Sequence, residues 1–441
     1  MEIEDSIVRA TARPESDSDD PRTWTWVEAS VWTEGMLAAL GNGVRGGKWH
    51  SLIDKVYAPQ TLMSAWQRVA RNRGAAGIDQ MSVERFKANA ECYLAELAEG
   101  LRHSRYRPQS VRRVHIPKGK GKTRPLGIAT VKDRIVQTAL KLVLEPIFEQ
   151  VFLPVSYGFR PQRSCKEALR VVDQGLKEGY TWVVDADLQS YFDTIPKQPL
   201  VALVKEKVSD SQVLKLLKQY VDQEVVDGMA HWTPVAGTPQ GSVISPLLSN
   251  LYLHGLDEVL SESGCKYARF ADDFVALCRT RQDAVAILAI IQLWVEEHGL
   301  GLHPDKTHVG NCMEKGQGFE FLGYRFEAGR RWVRAKSRKA LRDTIRQKMG
   351  RTRGDSLQSI IKELNPILKG WFGYFKQAHR STFRDIDGFV RRRLRAILRK
   401  RNKQPGFGRT IRDHARWPNA FFAEQGLFTL HEAFVAASQS R

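Results

Sequence analysis

The sequence is poor in cysteine and has no cysteine or histidine pattern that suits a metal or a disulfide framework. Its five cysteines are scattered and odd in number. No Cys-x-x-Cys pair and no His-Glu-x-x-His segment occurs. Zinc sites and disulfide-stabilised folds need such spacings. We therefore expect reduced thiols in a cytoplasmic protein, and no zinc chemistry.

Long hydrophobic runs are also missing. The longest apolar stretch, residues 287–295, contains a glutamine and is far shorter than the ~20 residues of a membrane-spanning helix. The N-terminus, MEIEDSIVRA, lacks the apolar segment of a secretory signal. The sequence therefore predicts neither a membrane segment nor secretion.

Acidic residues are scarce in one part of the chain only. The 441 residues carry 68 Lys and Arg against 49 Asp and Glu, a net charge of +19. Residues 331–403 hold 23 of the bases and 5 of the acids, so +18 of the net charge lies there. Residues 1–30 hold eight acids and three bases, and we predict a mobile acidic leader. The concentrated basic charge favours a nucleic-acid partner.

These patterns divide the chain into four parts. Residues 1–51 are predicted to be an N-terminal extension that includes the leader. Residues 52–330 alternate helical stretches with short β-rich runs, which predicts an α+β body. Residues 331–403 lose the β pattern and become basic and helical, and residues 404–441 form a C-terminal segment.

Two amphipathic helices are predicted in the basic part. One begins at Asn365-Pro366, a good cap and first-turn pair, and directs Lys369 and Lys376 away from its apolar face. The other covers about residues 386–400. Its outward residues are Arg391, Arg392, Arg395 and Arg399. A solvated helix face is the ordinary reading of such a stripe, but arginines this dense with few acids favour contacts to phosphate.

Acidic residues stand at the ends of two β-rich runs. Asp272 and Asp273 interrupt an apolar run, as at the turn of a hairpin, and Asp187 ends another run with Asp185 on the same strand face. A pair of aspartates in a turn is most often solvated, because Asp is a favoured turn residue. Three carboxylates from two neighbouring strands would instead suit a pair of Mg²⁺ ions, which prefer oxygen ligands and serve phosphoryl transfer.

Several blocks follow one another in an order that resembles a reverse transcriptase. They are VVDADLQSYFDTI (183–195), GTPQGSVISPLLSNLYLHGLDE (237–258), RFADD (269–273), HPDKT (303–307) and FEFLG (319–323). Four further blocks are similar to the bacterial group II intron reverse transcriptase/maturase family. They are NRGAAGID (72–79), IPKGKGKTRPLGIATVKDRIVQ (116–137), SYGFRPQRS (156–164) and, for the maturase or thumb motif, LNPILKGWFGYF (364–375). The resemblance covers roughly residues 55–430.

The resemblance implies a right-hand polymerase: fingers and palm with an antiparallel sheet and packed helices, followed by an all-α basic thumb or maturase domain. The implied activity is that of an RNA-directed DNA polymerase encoded by a group II intron in bacteria. It would bind the intron RNA to assist splicing and copy it into cDNA from dNTPs, with an RNA template and a DNA primer. No membrane partner is implied, and a homodimer stays open. Two alternatives remain: a non-catalytic RNA-binding splicing factor, and a domesticated reverse transcriptase in host defence or repair.

The resemblance also implies roles for the acids. Asp187, Asp272 and Asp273 would hold two Mg²⁺ ions, with Mn²⁺ as a substitute, that activate the primer 3′-hydroxyl and stabilise the leaving pyrophosphate. Asp185 would be structural or would support the metal ligands without binding the ions itself. Phe192 matches the aromatic residue under the sugar of the incoming nucleotide, which excludes a 2′-hydroxyl. Packing in the core is its alternative.

Two basic residues, Lys118 and Arg124, match the positions that hold the incoming phosphates. A Walker-type phosphate loop is excluded, because position 116 is Ile where that motif needs Gly. A solvated basic hairpin stays open as the alternative.

Further polar residues match positions near the nucleotide or the template. Gln240 would line the nucleotide pocket, with a plain turn as its alternative. Lys306 falls in the segment after the catalytic hairpin, where a salt bridge is an equal account. Arg160 and Arg163 are predicted to contact template or nucleotide.

The sequence departs from the family pattern in two respects. Phe270 stands where the commonest form of the hairpin motif has tyrosine. No cysteine pairs of a zinc-containing endonuclease are present, so we expect no second-strand cleavage by this chain.

Overall fold

The structure is a computed structural model that describes residues 24–119, 122–352 and 354–439. Most of the predicted acidic leader, residues 1–23, lies outside the described residues. The chain forms two compact units. The first contains the described parts of residues 1–174, 186–276 and 286–307, and the second those of 175–185, 277–285 and 308–441. The domain boundaries drawn from the sequence stay predictions.

The helices, in chain order, are α1 (Glu34–Asn42), α2 (Ile53–Tyr57), α3 (Pro59–Arg71), α4 (Val83–Ala88), α5 (Ala90–Arg102), α6 (Val131–Glu149), α7 (Cys165–Lys177), α8 (Tyr191–Thr194), α9 (Lys197–Lys207), α10 (Ser211–Val221), α11 (Ser245–Glu262), α12 (Arg281–Glu297), α13 (Ala335–Lys348), α14 (Leu357–Phe375), α15 (Ser381–Arg401), α16 (Ile411–Arg416), α17 (Asn419–Glu424) and α18 (Leu430–Gln439). None of the helices in the described ranges is both long and apolar enough to cross a membrane.

The strands are β1 (Val111–Gly119), β2 (Lys122–Ile128), β3 (Trp182–Asp187), β4 (Val225–Asp227), β5 (Ala230–Trp232), β6 (Lys266–Phe270), β7 (Asp273–Cys278), β8 (His308–Asn311), β9 (Phe319–Phe321), β10 (Tyr324–Glu327) and β11 (Arg330–Val333). They form sheets of order β2-β1-β4-β5, β6-β7-β3-β8 and β11-β10-β9. β1 pairs antiparallel with β2 and parallel with β4. The predicted α+β body followed by a helical basic part is confirmed, since the described chain from Ala335 onward contains helices only.

Two helices form much of the interior of the first unit. α6 and α11 are buried on most of their circumference, as expected of helices that are apolar on most faces. α6 begins where the amide of Asp133 donates to Oγ1 of Thr130 at 3.0 Å, which satisfies a donor that the first turn would leave unpaired. α11 also buries several polar residues, among them Asn250 and Asp257.

A buried ion pair joins α11 to strand β6. Arg269 and Asp257 have fully buried side chains, with Nε to Oδ1 at 2.7 Å and the second guanidinium nitrogen to Oδ2 at 2.5 Å. The remaining nitrogen of Arg269 donates to Oδ1 of Asn250 at 2.9 Å and to the carbonyl of Ala271 at 3.0 Å. Because Ala271 lies in the turn after β6, this network fixes the start of the β6–β7 hairpin.

The same turn is held from its other side by a close approach of the backbone at Gly158. A Cβ at that position would lie 2.3 Å from the amide nitrogen of Ala271, a separation that no side chain tolerates. The neighbouring Tyr157 donates its amide to the carbonyl of Arg269 at 2.8 Å. The hairpin turn therefore has fixed neighbours on two sides.

One helix start differs from the prediction. α14 begins at Leu357, where Oγ of Ser356 accepts from the amide of Ser359 at 3.1 Å, and Pro366 lies inside the helix. Oδ1 of Asn365 instead accepts from the amide of Phe428 at 2.8 Å. The predicted start at Asn365-Pro366 was wrong, because Asn365 serves a tertiary contact and Ser356 supplies the cap.

The buried ion pair gives a stability prediction. Asp257→Ala leaves the guanidinium of Arg269 buried and unpaired, and we expect it to lower the free energy of unfolding by about 3–5 kcal/mol. Urea unfolding followed by circular dichroism measures the loss. The control is Lys218→Ala, which removes an exposed pair with Asp222 and should cost at most about 0.5 kcal/mol. Equal effects of the two substitutions would contradict the importance of the buried pair.

Candidate active site

The turn between β6 and β7 presents two of the candidate carboxylates. Ala271 has a φ of 61°, in the left-handed region that few non-glycine residues adopt. Asp272 follows it and is half-buried, and Asp273 is exposed and begins β7. β7 lies next to β3, whose last residue is Asp187. The structure therefore brings the ends of the two predicted acidic runs together in one sheet.

The pKa of Asp272 is raised above its ordinary value. Burial is the main cause, and the negative charge of Asp187 raises it further. A hydrogen bond from its own backbone and the positive charges of Arg124 and Arg269 act in the opposite direction. The carboxylates of Asp187 and Asp272 thus repel each other where Asp272 is partly buried. A bound cation would relieve this repulsion.

Asp187 is paired with an ammonium group. Nζ of Lys306 donates to Oδ2 of Asp187 at 2.6 Å, so the salt bridge that the sequence left open for Lys306 is present. The carbonyl of Asp187 accepts from the amide of His303 at 2.7 Å. No three Asp, Glu, His or Cys side chains in the described ranges are already gathered around a metal position. The carboxylate oxygens of Asp187 and Asp272 nevertheless fit the donor preference of Mg²⁺.

A short relay of side chains runs from strand β2 to helix α8. Nε of Arg124 donates to Oε1 of Gln240 at 3.3 Å, and Nε2 of Gln240 donates to Oδ2 of Asp193 at 2.9 Å. The two bonds fix which way the amide of Gln240 faces. The positive charge of Arg124 also acts on Asp272.

The backbone beside Gln240 is fixed against β2 by a glycine. Gly241 has a φ of +100°, and a Cβ there would lie 2.4 Å from the carbonyl oxygen of Gly127. The amide of Gly127 donates to the carbonyl of Gln240 at 2.7 Å. The turn TPQG (238–241) is therefore packed against β2 and hydrogen-bonded to it, which fixes the position of Gln240 relative to Arg124.

Phe192 is half-buried and positioned by its neighbours. Its ring meets that of Tyr191 edge to face, with centroids 5.5 Å apart, and its carbonyl accepts from the amide of Thr238 at 2.8 Å. Asp185 is half-buried on β3 opposite His308. The side chain of Lys118 lies outside the described part of the structure.

The structure corrects the prediction for Arg160. Its guanidinium is buried, pairs with the carboxylate of Glu149 at 2.9 Å, and donates to the carbonyls of Leu153 at 2.6 Å and Ser156 at 2.8 Å. These bonds occupy the planar donors that a nucleic acid would need. Arg163, by contrast, is exposed, with its guanidinium carbon 5.8 Å from the ring centre of Tyr157.

Two arginines of α15 also differ from the prediction. Arg395 is buried and its Nε donates to the carbonyl of Trp417 at 2.9 Å. Arg399 pairs with Asp413 at 2.6 Å. Both bind the segment that follows α15, so their outward direction was wrong: the apolar periodicity does not reveal that a later segment packs on this helix face.

The other predicted basic residues remain accessible. Lys369 is exposed on α14, and Lys376 is exposed directly after the end of that helix. Arg391 and Arg392 are half-buried on α15, and the guanidinium of Arg392 lies 5.3 Å from the ring centre of Phe389.

Sequence reasoning missed Asp193 and Asp257 as functional supports. Asp193 follows Phe192 directly and Asp257 lies near the end of the block GTPQGSVISPLLSNLYLHGLDE, but each acts through a partner on another element of the fold. In the local sequence each is only an acidic residue on an otherwise apolar helical stretch, and such residues are common in proteins.

Two family models match the chain. Residues 116–326 match the model described as "Reverse transcriptase (RNA-dependent DNA polymerase)". Residues 338–417 match that described as "Group II intron, maturase-specific domain".

Several proteins are similar in sequence. Protein YkfC of Escherichia coli K12 is 33% identical over 354 residues, which are 70% of this chain and 91% of that protein. The group II intron-encoded protein LtrA of Lactococcus lactis is 36% identical over 214 residues, 48% of this chain and 35% of that protein. An uncharacterized 91 kDa protein in the cob intron of Schizosaccharomyces pombe is 41% identical over 149 residues, 34% of this chain and 18% of that protein. A solved Cas6-RT-Cas1–Cas2 complex chain aligns at a TM-score of only 0.36 with 22% identity over 56% of this chain and 42% of that chain, which is too distant to support an inference.

The reverse transcriptase match contains the β6–β7 hairpin, β3 and the Arg124–Gln240–Asp193 relay, and the maturase match contains α14 and α15. YkfC is aligned over nearly its whole length. The chain belongs to the family of group II intron-encoded reverse transcriptases/maturases: it is an RNA-directed DNA polymerase with a maturase-specific region.

Proposed function

We propose that the chain performs two-metal nucleotidyl transfer with Asp187, Asp272 and Asp273 as the metal ligands. The observation that supports this most is the placement of Asp187 at the end of β3 and of Asp272 and Asp273 directly before and at the start of the neighbouring β7, because carboxylates gathered from adjacent strands suit a divalent cation. When bound, two Mg²⁺ ions, or Mn²⁺, would activate the primer 3′-hydroxyl and neutralise the leaving pyrophosphate. Lys306 donates to Oδ2 of Asp187, and its ammonium would also be available to the phosphates of the incoming nucleotide.

The incoming dNTP would bind between the relay and the carboxylates. Arg124 would pair with its phosphates, since a guanidinium binds phosphate oxygens bidentately. Gln240 would position the template-primer and nucleotide with its amide held by Asp193. Phe192 would pack under the sugar and exclude the 2′-hydroxyl. Lys118 would also contact the phosphates of the incoming dNTP.

The maturase region would bind the intron RNA, assist its splicing, and hold the RNA template and DNA primer for cDNA synthesis that serves intron mobility. The exposed Lys369 and Lys376, the half-buried Arg391 and Arg392, and the exposed Arg163 would contact phosphates. Recognition of A-form helices depends on such backbone contacts. The five cysteines are free thiols, which suits the cytoplasm as the place of action.

Asp272→Asn tests the metal site. Primer-extension assays of cDNA synthesis on an RNA template should show a loss of activity greater than about 100-fold, since even changes outside the ligand shell cost 10–100-fold at metal sites. RNA binding by the maturase region should persist. Parallel loss of both would mean that Asp272 is a structural acid.

The same variant makes a stability prediction with a defined sign. A carboxyl whose folded-state pKa is raised stabilises the folded chain below its unfolded pKa, and loses that contribution as pH rises through the folded pKa. Without metal at neutral pH, Asp272→Asn should therefore raise the unfolding temperature, and the gain should shrink as pH falls. Thermal unfolding in EDTA measures it, with Glu84→Gln, an exposed carboxylate on α4, as the control. A variant less stable than wild type at neutral pH would contradict the account.

Asp193→Ala tests the relay. Without the acceptor on Asp193, the amide of Gln240 is no longer oriented toward Arg124. We expect KM for the dNTP to rise about 2–12-fold, the factor that corresponds to a net hydrogen bond of about 0.5–1.5 kcal/mol, while RNA binding by the maturase region stays unchanged. Asp193→Asn keeps an oxygen acceptor and should restore KM toward wild type. An Asn variant that behaves like Ala would exclude the positioning role.

A further inference from the structure

A cationic cavity lies within the second unit, between α15 and the segment that leads into α17. Its volume is about 340 Å³ and its lining includes Arg391, Arg392, Arg395, Arg409 and His414. None of the described residues that line it is acidic. The volume is at the lower end of the range for small-molecule sites, roughly 300–1,000 Å³, and admits more than a bare ion.

The positive charges around this cavity repel one another. The pKa of Arg392 is lowered by partial burial and by the charges of Arg409, Arg342 and Arg346. The pKa of Arg395 is lowered by burial and by Arg391, against which Asp413 acts. Cations held together at such a cost indicate an anion that is bound when the protein works.

The nearest carboxylates are already committed to other partners. Asp413 pairs with Arg399 at 2.6 Å and accepts from the hydroxyl of Thr410 at 2.7 Å. Asp387 accepts from the backbone amides of Leu430 at 3.0 Å and His431 at 2.9 Å. Their charges act on Arg391 and Arg395, but neither carboxylate lines the cavity.

The walls are fixed by the fold. Gly408 has a φ of +71°, and a Cβ there would lie 2.6 Å from Cβ of Arg395, so the loop that carries Arg409 packs directly on α15. Nε of Arg395 is held by the carbonyl of Trp417 at 2.9 Å and its other end by Oδ1 of Asn419 at 3.0 Å. Guanidinium groups held in this way are arranged before a ligand arrives, which lowers the entropic cost of binding.

We propose that this cavity binds a phosphate group, with part of its ribose, from the backbone of the RNA that the maturase region recognises. Arg391, Arg392 and Arg409 contact the phosphate oxygens, since arginine suits bidentate binding of phosphate. His414 donates a further hydrogen bond. The assignment of the ligand to RNA rests on the proposed function, binding of intron RNA. The affinity of the cavity for phosphate is independent of that proposed function.

The test uses the full chain in EDTA, so that metal-dependent binding at the polymerase site does not contribute. Inorganic pyrophosphate should raise the unfolding temperature of wild type, by preferential binding to the folded state. Two variants should lose this shift. Arg391→Gln with Arg409→Gln removes charge, and Gly388→Leu fills the cavity from α15, where a Cβ has no heavy atom within 4 Å. Arg412→Gln, an exposed arginine that does not line the cavity, should keep the shift.

A second arm measures binding of the intron RNA over a salt series. The double variant should bind more weakly and lower the slope of log affinity against log salt by about 1–2, as expected for the loss of one or two phosphate contacts. Arg412→Gln should keep the affinity within about threefold of wild type, since its single exposed charge contributes little.

Three results would overturn the proposal. Equal stabilisation of wild type and both cavity variants by pyrophosphate would exclude the site. Loss of that stabilisation with unchanged RNA affinity and salt slope would assign the cavity to free phosphates and refute the RNA assignment. Absence of RNA binding by wild type would refute the proposed function, while the pyrophosphate arm would still decide on the cavity.

Discussion

The buried ion pair between Arg269 and Asp257 is the interaction on which the active site depends. It ties strand β6 to α11, and a further hydrogen bond from Arg269 to the carbonyl of Ala271 fixes the turn from which Asp272 projects. A buried charge pair of this kind is costly to form and more costly to break. The chain thereby places Asp272 beside Asp187 despite their repulsion, and leaves a site whose charge a divalent cation would balance.

The basic charge of the molecule is concentrated in a different part of the sequence from these carboxylates. Residues 331–403 contain +18 of the net charge of +19, yet the arginines there serve two purposes. Arg395 and Arg399 hold the segment after α15 in place, and this packing creates the cavity toward which Arg391, Arg392 and Arg409 point their charge.

The sequence predicted the parts of the site that depend on local patterns. Asp187, Asp272 and Asp273 stand out because carboxylates end apolar β-rich runs, and the order of the blocks identifies the family. It could not predict features that depend on distant partners. From the sequence, Arg160 is an arginine available to bind a nucleic acid, whereas in the structure it pairs with Glu149. Asp193 is recognisable only by its hydrogen bond with Gln240. The start of α14 was misplaced for the same reason, because Asn365 bonds to Phe428 rather than capping a helix.

The central claim is that carboxylates from β3 and the β6–β7 turn form a two-metal site. Electron paramagnetic resonance of Mn²⁺ bound to the chain, with an RNA template, a DNA primer and a non-hydrolysable dNTP, tests it most directly. The account predicts two spin-coupled ions about 3.5–4 Å apart in the wild type and loss of the coupled signal in Asp187→Asn. A single isolated ion, or a coupled pair that survives in Asp187→Asn, would contradict it.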